Sequence, residues 1–125
     1  MILGILEDIS GISGTNDKLN RLMGEVDNYV LREVCRLCYS GDINFYIKKV
    51  PVVSGSGDSN LSDILRGLDK LYNREITGNA GIEYLVRLMG MLSERDCEVL
   101  RRVISRDLRI GMGIKQINKV WRRLS

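Results

Sequence analysis

Four arginines, Arg95, Arg102, Arg106 and Arg109, recur at spacings of seven, four and three residues. On a helix turning about 100° per residue they share an arc of about 60°, with Cys97, Leu100, Val103, Ile104 and Leu108 on the other side. A guanidinium fork donates two parallel hydrogen bonds to a phosphate, so the spacing predicts an anion-binding face on one helix from Ser93 to Arg109. A solvated, salt-bridged face is the plainer alternative. The stretch Leu108-Arg109-Ile110-Gly111-Met112-Gly113-Ile114-Lys115 comes directly after, and its two glycines mark a tight turn into another helix-periodic stretch. Amides of such a turn can meet a phosphate, with Lys115 adding charge, although Gly111 is equally suited to a simple helix cap. Thr77-Gly78-Asn79 is a second helix start able to offer amide and hydroxyl donors, or merely to cap. Lys48 and Lys49, beside Tyr46, add a compact basic step.

Other chemistry lacks its parts. There is no histidine, which removes the commonest general base and the commonest metal ligand. Cys35-x-x-Cys38 sits inside a helical pattern with no second pair to complete a zinc site, so both are expected in the core, as are Met89, Met91, Met112 and Trp121. No nucleophile has a recognisable base partner. The Gly-x-Gly follows no strand, and no Walker motif occurs. No catalytic, metal or cofactor site is expected in these residues.

The elements that must hold these groups read as helices. Apolar residues recur with helical spacing over Ile2 to Ile12, Val30 to Cys38, Leu61 to Leu71, and Ile82 to Leu92. Strand alternation is scarce, and Pro51 to Asn60, with Gly55-Ser56-Gly57, reads as a surface loop. Ser93 with Asp96 resembles a capping box, and Asn60 or Ser62 and Thr77 or Asn79 are candidate caps. The expected fold is one all-α domain over residues 1–125, a compact array of about six to eight helices with short connections.

The 125 residues carry a net charge of +3, unevenly spread. Residues 1–94 balance at −3, whereas residues 95–125 balance at +6 through Arg95, Arg101, Arg102, Arg106, Arg109, Lys115, Lys119, Arg122 and Arg123. Such asymmetry points to an anionic partner at the basic end. Apolar runs fall short of the roughly 20 residues that span a bilayer, and the opening segment carries Glu7 and Asp8 without a basic leader. Three sparse cysteines suit a reducing compartment, so the cytoplasm is expected, with no membrane partner and a monomeric state.

Several tracts in order resemble the N-terminal helical DNA-binding domain of ATP-dependent DNA ligases, most nearly those of T-even-like bacteriophages. They are Met1-Ile2-Leu3 with Ile5-Leu6, Tyr46-Ile47-Lys48-Lys49, Thr77-Gly78-Asn79-Ala80 with Ile82-Glu83, Glu98-Val99-Leu100-Arg101-Arg102-Val103, Arg106-Asp107-Leu108, Ile110-Gly111, and Asn118-Lys119-Val120-Trp121. The resemblance implies a non-catalytic domain that grips duplex or nicked DNA from the minor-groove side, in service of replication, repair and recombination. It implies contacts from Thr77, Gly78, Asn79, Lys48, Lys49, Arg102, Arg106, Arg109, Gly111, Gly113 and Lys115. Asp107 stands where many cellular ligases place glycine, which weakens an amide contact there. The family's Lys-x-Asp-Gly adenylation motif does not occur in these residues. The nucleotidyltransferase and oligonucleotide-binding domains, with ATP and magnesium, would belong to the parent ligase. Its catalytic core and a sliding clamp are the implied protein partners, in the cytoplasm of an infected bacterium. A helical adaptor docking an acidic protein is the competing expectation. A helix-turn-helix repressor is a weaker third, because it needs base-specific contacts and usually a dimer.

Overall fold

The computed structural model describes residues 1–122, so Arg123 of the basic tail lies outside the described residues. Eight helical segments occur among them, with no strand: α1 (Ile2–Ser10), α2 (Thr15–Met23), α3 (Tyr29–Tyr39), α4 (Leu61–Arg66), α5 (Asp69–Tyr72), α6 (Gly78–Met91), α7 (Glu94–Ile104) and α8 (Ile114–Ile117). The all-α expectation and the helix count agree with this arrangement. Helix α7 is the hub, packing against α1, α3 and α6. Its Cys97, Val99, Leu100, Val103 and Ile104 are buried, each large aliphatic contributing about 1.5–3 kcal/mol by leaving water. Among the described residues no helix is long and apolar enough to cross a membrane.

Local chemistry explains most boundaries. Asn28, Asn60 and Ser93 cap α3, α4 and α7, their side-chain oxygens accepting from the amides of Leu31, Asp63 and Asp96 at 3.0, 3.4 and 3.2 Å. The stripe from Leu61 to Leu71, read as one helix, is broken after Arg66. There the Tyr84 hydroxyl donates to the Gly67 carbonyl at 2.8 Å, taking an acceptor out of the helical ladder. Helix α2 lies outside the stretches read as helical, although Leu19, Leu22 and Met23 recur with helical spacing; it buries only Leu22.

The loop at Pro51–Asn60 is a docked strap. Gly57 and Ser59 donate their amides to Leu92 and Met91 carbonyls at 3.1 and 2.9 Å, and Gly55 donates to Glu94 Oε2 at 3.0 Å. The glycines are needed for close approach: a Cβ on Gly55 would stand 2.6 Å from the Leu92 carbonyl oxygen, and one on Gly57 would collide with the Met91 backbone. The three cysteines are buried and free, as expected of core residues, and burial pushes the Cys38 thiol up to about 12. Met89, Met112 and Trp121 are also buried, whereas Met91 is exposed.

The helix expected to run from Ser93 to Arg109 stops at Ile104. Arg106 takes a left-handed φ of 64°, its amide bonds to the Val103 carbonyl, and the Asp107 amide bonds to the Arg102 carbonyl. This is a Schellman closure with arginine where glycine is usual. The guanidinium explains the choice: it donates to the carbonyls of Leu37, Ser40 and Ile43, fastening the end of α7 to the end of α3. Replacing Arg106 with Ala is expected to lower stability by roughly 2–4 kcal/mol, since charge-assisted bonds are lost and carbonyls are left unpaired. Gly at the same place should be less harmful than Ala by about 1 kcal/mol, because it relieves the left-handed strain. Urea unfolding of the two variants measures both differences.

Candidate nucleic-acid interface

The four-arginine face does not form. Arg95 and Arg102 lie on α7, but Arg106 and Arg109 come after its end, each with a left-handed φ. Acids also occupy the helix surface. Arg95 pairs with Glu7 at 2.7 Å, Arg101 with Glu94 and Glu98 at 2.9 Å each, and Arg102 with Glu98 at 2.8 Å. Arg101 also donates to the Val53 carbonyl, and Arg102 to the Leu108 carbonyl at 3.2 Å. Arg101, Arg102 and Arg106 are therefore engaged within the protein, holding the strap, the turn and the α3 terminus respectively.

Two other sequence-marked groups converge although 30 residues separate them. Lys48 and Lys49, both exposed, line an open recess of about 320 Å³ with Tyr46, Ile47, Gly78, Asn79 and Ile82. Gly78 opens α6 at a φ of 58°, a conformation that glycine adopts at little cost. Thr77 occupies the cap position without a side-chain cap bond, and the first helical backbone bond is from the Gly81 amide to the Thr77 carbonyl at 3.1 Å. The amides of Gly78, Asn79 and Ala80 thus have no acceptor among the described residues. They open a fourteen-residue helix whose N-terminus carries partial positive charge, and Lys48 and Lys49 line the same recess.

The segment Tyr46–Val52 leads from this recess to Arg109. At the far end Val50, Pro51 and Val52 form a smaller recess of about 170 Å³ with Arg101, Arg102 and Arg109. An extended chain of that length reaches at most about 25 Å. Arg109 is exposed, and its side chain has no partner among the described residues. Its own amide is spent on Asp107 Oδ1 at 2.8 Å. Gly111, at a φ of 69°, is exposed, whereas the Gly113 amide is taken by Gln116 Oε1 at 3.0 Å. Lys115 is exposed, but α8 has only four residues, so it offers little of a helix dipole.

Two contributors went unmarked in the sequence. Lys18 of α2 donates its ammonium to the Ile110 carbonyl at 2.8 Å, across 92 residues of chain. Arg74 lies over the Tyr46 ring at 4.4 Å, both residues with positive φ. Neither pairing has a local sequence signal, since each arises from where distant segments are brought.

No family model matches the chain. It is 40% identical over 126 aligned residues to the DNA ligases of Enterobacteria phages T4 and T6, an alignment that covers 97% of this chain. The chain spans about a quarter of those proteins, 26% of their length. Two solved structures, titled Pmar-Lig_PreS3 and Pmar-Lig_Pre, share its fold with TM-scores of 0.87 at 24% and 23% identity. Each match covers 96% of this chain and 29% of the other.

The Glu98 carboxyl illustrates how the α7 charges are spent. Partial burial works to raise its pKa, but hydrogen bonds and charge from Arg102 and Arg101 outweigh it and hold the pKa below the ordinary 4.5. A lowered folded-state pKa stabilises the fold above the unfolded value, and the gain is lost as pH falls through the folded value. Glu98→Gln is expected to cost about 1 kcal/mol at neutral pH. The difference from wild type should hold down to about pH 5 and vanish in more acidic solution. Urea midpoints of both proteins across that range provide the check.

Proposed function

We propose that this chain, a relative of a quarter-length segment of T-even phage DNA ligases, is a non-catalytic module that grips duplex or nicked DNA through its phosphates. One observation carries the reading: Lys48 and Lys49 line a single recess with Gly78 and Asn79, whose amides have no acceptor among the described residues. Phosphate fits that chemistry, since ammonium groups supply charge, the helix start supplies directed donors, and neither needs to recognise a base. Tyr46–Val52 continues the surface to Arg109, and Gly111 and Lys115 extend it. Arg102, Arg106 and Gly113 act behind this surface by fixing its backbone.

Binding is on the minor-groove side, largely without sequence preference, and it positions a nick for the catalytic core of the parent ligase. The sealing reaction in replication, repair and recombination, with its ATP and magnesium, belongs to that core. The module itself contributes grip and register.

Lys48, Lys49, Arg109, Lys115 and Lys119 are exposed and form no ion pair among the described residues. If these cations each meet a phosphate, the log–log slope of affinity against salt is about −4 to −5. Fluorescence anisotropy on a nicked duplex across a salt series measures it. The Lys48→Ala/Lys49→Ala double variant should weaken binding to all sequences equally and reduce the slope by about two. Salt-independent binding, or none at low salt, overturns the proposal. Capture of an acidic protein by nuclease-treated chain, in the absence of DNA binding, would favour an adaptor instead.

A further inference from the structure

We propose that Lys18 is a positioning residue that aims the Gly111 amide outward at a DNA phosphate; this rests on the DNA-binding reading above. The Lys18 ammonium donates to the Ile110 carbonyl at 2.8 Å. In a trans peptide the carbonyl and the next N–H point in opposite directions. Drawing the Ile110 carbonyl toward α2 therefore turns the Gly111 N–H away from the protein. Gly111 is exposed, and its amide has no acceptor among the described residues.

Three neighbouring polar groups of the turn are already occupied. Arg102 holds the Leu108 carbonyl at 3.2 Å, Asp107 holds the Arg109 amide at 2.8 Å, and Gln116 holds the Gly113 amide at 3.0 Å. Glycine at position 111 meets two demands at once. Its φ of 69° is left-handed, and a Cβ there would stand 2.5 Å from the Lys18 ammonium. Lys18 forms no ion pair among the described residues, so its charge is left to act on whatever approaches the turn. An uncompensated ammonium behind an outward amide favours an anion in front of it.

The test is an amide NMR titration of the full chain with a nicked duplex, together with anisotropy, for wild type, Lys18→Met and Lys18→Arg. Wild type should show shifts at Gly78, Asn79 and Gly111. Lys18→Met should lose the Gly111 response, keep those at Gly78 and Asn79, and bind about 5- to 10-fold more weakly with its urea midpoint little changed. Lys18→Arg, which keeps a cationic donor, should restore the Gly111 response. Two results overturn the role of Lys18: a Lys18→Met protein that binds with the full Gly111 response, or one that loses every amide response together with its folded state. If wild type binds no DNA at low salt, the DNA-binding reading falls as well, so the two failures are told apart.

Discussion

The burial of α7 between α1, α3 and α6 is the constraint on which the remaining geometry depends. A helix sheathed by three others keeps little freedom to rotate, so the direction in which its C-terminus points is set by packing. Arg106 then fixes the exit of the chain from α7, because its guanidinium ties the carbonyls at the end of α3 and its own backbone closes the helix. The turn containing Arg109 and Gly111 is launched from that closure. The strap at residues 51–60 is bound to the junction of α6 and α7, so Val50–Val52 arrive beside Arg109.

Charge is divided between two uses. Arg95, Arg101 and Arg102 are neutralised by Glu7, Glu94 and Glu98, and Arg106 is turned onto backbone carbonyls. These cations hold the scaffold. Lys48, Lys49, Arg109, Lys115 and Lys119 remain exposed, and they come from three separate parts of the chain. The excess of +6 in the last 31 residues is thus a poor guide to where positive charge is presented. The two lysines that face α6 come from the part of the chain with net negative charge. Proximity to open amides, rather than regional balance, makes them suited to an anion.

The turn at residues 108–113 shows how a flexible-looking sequence becomes a shaped surface. Two glycines suggest freedom, yet Arg102, Lys18, Asp107 and Gln116 each hold one backbone group of the turn. A donor or acceptor already bonded within the protein is withdrawn from any ligand, and the peptide planes it fixes determine which groups stay available. The same logic separates Gly113, whose amide is spent, from Gly111, whose amide is open.

Periodicity determined the helical class and most of the core, because a buried helix face needs apolar residues at every third or fourth position whatever it packs against. The caps at Asn60 and Ser93 were legible for a similar reason, as each bond closes within three residues. Lys48, Lys49, Thr77, Gly78, Asn79 and Gly111 were recognisable by residue type, but their grouping was not. Helix α2 escaped notice because its short stripe of Leu19, Leu22 and Met23 is set among polar residues, and the end of α7 was misplaced because an arginine replaces the usual glycine at its closure. Which arginines are spent, which lysines meet α6, and which way the Gly111 amide faces depend on contacts across tens of residues. Only the tertiary structure decides these, because residue types show what a side chain can bond to, while packing determines which partner comes within reach.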